Sequence, residues 1–242
     1  MQVLVNERLL RRRLWFSLAS MVGSILLLLL GFVGSTIVRD PLLQYAVSLP
    51  PLIVGIVLWS RNQAYLQRWG PRMRPDGAIT RALRGLDARY ALLVAPGSRL
   101  PDYVLVGPMG VVVVVPRTVT GTVTCYHGRW RHDDGRPLML RLLSWLSVRP
   151  TLGTPTAEVE RGVERTRRAL AQRMPADLAD ALPVEGVVLF THPQVNLALQ
   201  GCDVPSITLK ALRAHVRRLP RSLDSHAVQQ TVASFGVSPD SG

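Results

Sequence analysis

Two apolar runs fill most of the first quarter of the chain. Residues 14–38 carry no charge; as a helix they would be roughly 37 Å long, more than the ~30 Å hydrocarbon core of a bilayer. A second run, Leu42 to Ser60, has Gln44 as its one strongly polar side chain and Pro50-Pro51 near its middle, where a kink is expected. The arginines before the first run also suit a signal peptide, but the run is too long for an h-region and a second span follows at once. Arg8, Arg11, Arg12 and Arg13 precede the first span, Arg61, Arg68, Arg72 and Arg74 follow the second, and Arg39 alone lies between. Residues 1–61 therefore read as an N-terminal tail and two transmembrane helices, 14–38 and 42–60, with both termini cytoplasmic. Ser20, Ser24, Gly31 and Ser35 could let helices approach closely, although Gly and Ser are simply common in such helices.

After an Arg-rich linker at 62–76, the pattern changes to short elements. Ile79, Leu83 and Leu86 recur at helical spacing behind Asp76, a possible N-cap. Tyr90–Val94 reads as a strand. The organising stretch is 100–121, LPDYVLVGPMGVVVVVPRTVTG. Tyr103–Val106 and Val111–Val115 flank a Gly-Pro-Met-Gly turn, which predicts a hairpin buried on both faces. Thr122–Tyr126 and Trp130 suggest another hairpin, turning at His132–Gly135. Leu138–Val148 is apolar, either a packed connector or a lipid-touching piece. Thr156–Met174 is the clearest long helix, with Glu160, Arg161, Glu164, Arg165 and Arg168 as a solvated charged face. Val187–Phe190 and the weaker Val204–Thr208 read as strands, and 209–219 and 226–235 as helices. The expected soluble part is an α/β domain at 77–221 with a mixed central sheet flanked by helices, followed by a C-terminal helix and tail at 222–242.

Composition refines this only a little. The formal charge is +13, but Lys210 is the single lysine beside 28 arginines, a usage that suits compositional bias as well as nucleic-acid binding. Beyond residue 60 there are 24 basic and 14 acidic residues, a net +10 that attracts phosphates or anionic lipid. Cys125 and Cys202 are far apart and suggest neither a disulfide framework nor a zinc site. His127, His132 and His192 lack metal-ligand spacing, and the chain has no Gly-rich phosphate loop or nucleophile elbow.

The order helix, strand, PDYVLVGPMG, valine strand, GTV, GRW, long helix, VVLF and a late V-P strand resembles the NERD (nuclease-related) domain over about residues 74–219. The resemblance implies a restriction-endonuclease-like fold and Mg²⁺-assisted phosphodiester hydrolysis, in which an aspartate and a glutamate bind the metal and a lysine steadies charge. Asp102 matches the aspartate, Val115 stands at the glutamate position and Arg117 at the lysine position. Asp76 matches an acidic residue of the first helix, and Glu158 the glutamine of the family's N-P-x-x-Q stretch, with Thr154 at the asparagine. Valine removes a hard oxygen ligand, and arginine keeps charge without a titratable amine. The resemblance thus implies a degenerate site with Asp102, Arg117, Asp76 and Glu158 as vestiges, no metal and no cofactor. The expected function is a membrane-anchored nucleic-acid-binding or scaffold module, with Arg117, Arg161, Arg165 and Arg168 as phosphate contacts and Trp130 as a packing residue. Two alternatives stay open: a divergent Mg²⁺-dependent nuclease, and a structural membrane protein that binds a protein partner or anionic headgroups.

Overall fold

A computed structural model describes residues 1–37, 40–69, 74–133, 135 and 152–236. The expected segment Leu138–Val148 lies outside the described residues. These residues fall into two compact units: Met1–Leu9 with the described chain from Pro75 onward, and the residues from Leu10 to Arg74.

The second unit holds two helices, α1 (Glu7–Ile37) and α2 (Pro41–Trp69), long and apolar enough to cross a membrane. α2 continues through Pro50 and Pro51. Leu10, Ser17, Ser24 and Gly31 are the buried residues of α1, and Ser48, Gly55 and Asn62 are buried on α2, all seven residues apart. That heptad spacing forms one continuous seam between antiparallel helices. A Cβ at Gly31 would come 2.7 Å from Leu52 Cγ, and one at Gly55 2.9 Å from Leu28 Cγ, so these small residues permit the close approach. Ser17 Oγ closes the seam with a 2.6 Å hydrogen bond to Asn62 Oδ1. The outward surface is apolar, with Trp15 and Phe16 exposed by 74% and 69%, unlike helices of a soluble core.

The first unit is mixed α/β, as its pattern predicted. A six-stranded sheet runs in the order β1 (Gln2–Val5), β2 (Ala91–Val94), β3 (Tyr103–Gly107), β4 (Gly110–Arg117), β7 (Val184–Phe190) and β9 (Ser206–Thr208). β2, β3 and β4 pair antiparallel, and the other pairs are parallel. β3 and β4 are the expected hairpin, paired from Tyr103–Val114 to Gly107–Gly110. α4 (Pro155–Ala171) and α7 (Ser225–Ser234) bury Val159, Leu170 and Val228 against Val104, Val113, Val115 and Phe190 on one face. On the other, α3 (Asp76–Ala82), its exit turn and α6 (Leu209–Arg218) bury Ile79, Leu83, Leu212 and Val216 against Leu92, Leu105, Val114 and Leu189. Covering both faces explains the unbroken valine run. α5 (Ala176–Ala181) is a short helix between α4 and β7.

A second sheet has the order β6 (Arg129–Asp133), β5 (Gly121–Tyr126), β8 (Val195–Gln200). It corrects two expectations. The β5–β6 hairpin turns at His127-Gly128, not at His132–Gly135, because both residues adopt positive φ, 45° and 73°, the geometry of a two-residue type I′ loop. His132 lies inside β6, with its Nε2 2.7 Å from the Thr120 carbonyl oxygen. Cys125, on β5, is disulfide-bonded to Cys202 beyond the end of β8, with Cα atoms 6.1 Å apart, although no bond was suggested by the 77-residue separation. Parallel pairing of β5 with β8 brings the two strand ends together.

Two more readings change. Asp76 is the first residue of α3 rather than its N-cap, a position held by Pro75. The N-terminal tail contributes β1, an edge strand paired parallel with β2 and anchored by a 2.8 Å bond from Gln2 N to the Tyr90 carbonyl. Leu4 is only 6% exposed. A fragment starting after α2 is therefore expected to lose about 1.5–3 kcal/mol from Leu4 alone and to bare the edge of β2. Thermal unfolding of residues 75–242 should show a lower Tm than the same fragment carrying Met1–Asn6 through a flexible linker; equal values would mean that β1 contributes nothing.

Candidate functional site

The residues matched to the nuclease pattern sit on or beside α3, β3, β4 and α4. Asp102 directly precedes β3, with its carbonyl accepting a 2.7 Å bond from Ala95 N. Since Tyr103 pairs with Val114, continued antiparallel register sets Asp102 opposite Val115. Alternation then puts Asp102 on the face of Val104, Val113 and Val115, under α4. A Cβ at Gly162 would lie 2.9 Å from Val113 Cγ1 and 3.4 Å from Pro101 Cγ, so this glycine lets α4 settle over the same strand ends. Glu158, in the first turn of α4, reaches that face too. Asp76 is the first residue of α3, a helix that packs through Ile79 on the opposite face.

Arg117 occupies the end of β4 and is 8% exposed. Its Nε donates to the Leu152 carbonyl at 2.9 Å, its Nη1 to the Pro116 carbonyl at 3.2 Å, and its Nη2 lies 2.5 Å from Glu158 Oε1. The guanidinium is thus turned inward and spent on one carboxylate and two carbonyls, so the expected phosphate contact at Arg117 is corrected to an internal ion pair. A buried cation requires such a partner. Trp130 packs as expected, its ring centroid 6.2 Å from that of Phe190, and its Nε1 donates to Thr156 Oγ1 at 2.9 Å.

This donor set does not fit Mg²⁺. The metal needs hard oxygens in near-octahedral array, whereas the glutamate position is Val115, 7% exposed and packed in the core, and Glu158 is held by Arg117. Among the described residues no three His, Cys, Asp or Glu side chains are grouped to hold a metal ion.

The other expected phosphate contacts lie along α4, whose outer face alternates in sign. Arg168 Nε bonds Glu164 Oε1 at 2.7 Å, Arg161 Nε donates to the Ala157 carbonyl, and Arg165 and Glu160 are exposed beside them. The concentrated positive charge is elsewhere. α3, its exit turn and α6 carry Arg81, Arg84, Lys210, Arg213, Arg217 and Arg218 against the single acidic residue Asp76. All but Arg213 of these cations are exposed. Arg217 Nη2 donates to the Gly85 carbonyl at 3.1 Å, which links α6 to the end of α3 and makes the two helices one basic surface. At its border Asp87 is already engaged by Arg89 at 2.6 Å, and that bond holds its carboxyl below the ordinary range. Sequence reading took the helix of 209–219 only as rich in arginine; the cue was charge of one sign on two helices, and their adjacency belongs to the fold.

Comparison with known proteins finds no match for this chain: no family model, no curated protein and no solved structure.

Proposed function

We propose that this chain is a membrane-anchored, cytoplasm-facing relative of the NERD domains that binds nucleic acid without cutting it. The observation that carries the reading is the strand end of β4, where Val115 is packed in the core and Arg117 is sealed by Glu158. A site that lacks one hard ligand and has spent its cation cannot assemble the metal and phosphate geometry that hydrolysis needs. The fold keeps instead a basic surface on α3 and α6, suited to the sequence-independent phosphate contacts that dominate nucleic-acid affinity. Anchoring is supported by the apolar outer surface of α1 and α2 and by β1. A cleaved signal sequence would remove an edge strand of the sheet together with half of the small-residue seam. Arginines at both flanks support a cytoplasmic domain.

The test incubates the full chain in nanodiscs of neutral lipid with labelled single- and double-stranded DNA and RNA, in Mg²⁺, Mn²⁺ or EDTA, beside Asp102→Ala. The expected result is retention of intact nucleic acid in all three conditions by both proteins. Metal-dependent cutting that disappears in the variant would overturn the reading and show that another carboxylate replaces the glutamate.

A further inference from the structure

We propose that Cys125 and Cys202 form a thiol–disulfide exchange site that fixes or releases β8 according to the redox state of the compartment. The inference rests on the cytoplasmic orientation proposed above, since thiols there are kept reduced and a standing structural disulfide is not expected. The two cysteines are nevertheless placed to bond: their Cα separation of 6.1 Å lies within the usual span for a disulfide. Their surroundings differ. Cys125 is 1% exposed, packed within β5, whereas Cys202 is half-buried in the turn after β8. Cys202 is therefore the sulfur that solution reagents reach.

The exchange balances without a further co-reactant. In oxidation, the Cys202 thiolate attacks a small disulfide, forming a mixed disulfide and expelling one thiol. The Cys125 thiol, losing its proton, then displaces the second, so that the reagent is reduced to two thiols as the pair is oxidised. In reduction, a dithiol attacks at Cys202 to form a mixed disulfide as Cys125 leaves as a thiol; the reagent's second thiol then displaces Cys202, which also leaves as a thiol, and the reagent ends as its own disulfide.

β8 is the element that responds. It is the edge of the three-stranded sheet, none of its six residues is fully buried, and among the described residues its ladder partner is β5 alone. Its far end is held by a 3.2 Å bond from His127 N to the Gln200 carbonyl and by the disulfide just beyond. Opening the disulfide frees one end of a six-residue parallel ladder on an edge strand, half of whose residues are exposed, the kind of local unit that unfolds below the global free energy.

The test uses the full chain in cells and then in nanodiscs. Cells are acid-quenched before and after a thiol-oxidising pulse, and the cysteines are counted by a heavy maleimide. The chain is expected to be reduced at rest and disulfide-bonded after the pulse. In nanodiscs, a dithiol should speed amide exchange in β8 by at least about tenfold while β3 and β4 keep their protection. Cys202→Ser should exchange in β8 like the reduced protein with or without dithiol, and it spares the buried Cys125. A pair already bonded at rest would overturn the proposal, and labelling of dithiol-treated intact cells by a membrane-impermeant maleimide would trace that failure to the orientation. Thiols that persist through the pulse, or exchange in β8 that ignores reduction, would overturn the switch while leaving orientation and nucleic-acid binding intact.

Discussion

Reversing three charges on the basic surface, Arg84→Glu, Lys210→Glu and Arg218→Glu together, is expected to weaken binding of duplex DNA by at least about 100-fold at 0.15 M salt. All three side chains are exposed on α3's exit turn and on α6. Each phosphate contact on duplex DNA contributes roughly 0.9 to the slope of log affinity against log salt. Losing three contacts therefore removes about 2.7 from that slope and about two decades of affinity near physiological salt, and the new carboxylates add repulsion. The matched control reverses Arg161, Arg165 and Arg168 on α4. There Glu164 already bonds Arg168, and Glu160 lies beside Arg161, so the effect should stay below about fivefold. Fluorescence anisotropy with a labelled duplex at several salt concentrations gives both numbers. A larger loss from the α4 set would return the interface to the face first read from sequence.

Glu158→Ala is expected to destabilise the first unit by about 2–4 kcal/mol. The change leaves the Arg117 guanidinium, whose side chain is 10% exposed, without its carboxylate. Breaking a buried pair from one side typically costs about 3–5 kcal/mol, and water reaching Glu158, 28% exposed, lowers the figure somewhat. Glu158→Ala with Arg117→Met removes the unpaired cation and should recover at least half of the loss, since an apolar replacement has no desolvation penalty. Denaturant unfolding of the full chain in nanodiscs, followed by Trp130 fluorescence beside the site, would measure both. If the double variant is no better than the single one, Arg117 and Glu158 are not a paired unit.

The strongest parts of the fold were legible because they rest on local pattern. The valine strand, the Gly-Pro-Met-Gly hairpin and the amphipathic long helix each announce themselves through period and turn chemistry. What escaped depends on partners distant in sequence. β1 is four residues long beside a run of arginines, and its identity as a strand comes from β2, nearly ninety residues on. β8 alternates only between half-buried and exposed residues and gains its place from β5. The disulfide follows from that same pairing. In the candidate site, sequence identified Asp102, Arg117 and Glu158 as residues of interest, and the structure gathers them to one face. It could not show that Arg117 turns inward, because a charged strand end reads the same whether it meets solvent or a helix carboxylate. Asp76 was misjudged only as an N-cap, a position held by Pro75, because spacing does not fix the residue at which a helix starts.

The most direct test of a membrane-anchored binder that does not hydrolyse is the salt dependence of duplex DNA retention by the full chain in neutral nanodiscs, with Mg²⁺ present and the DNA recovered afterwards. Log affinity is expected to fall linearly with log salt, with a slope of about −4.5 to −5.4 for five or six phosphate contacts, and the DNA is expected to be full-length at the end. Retention that ignores salt, or DNA returned as fragments, would contradict that reading.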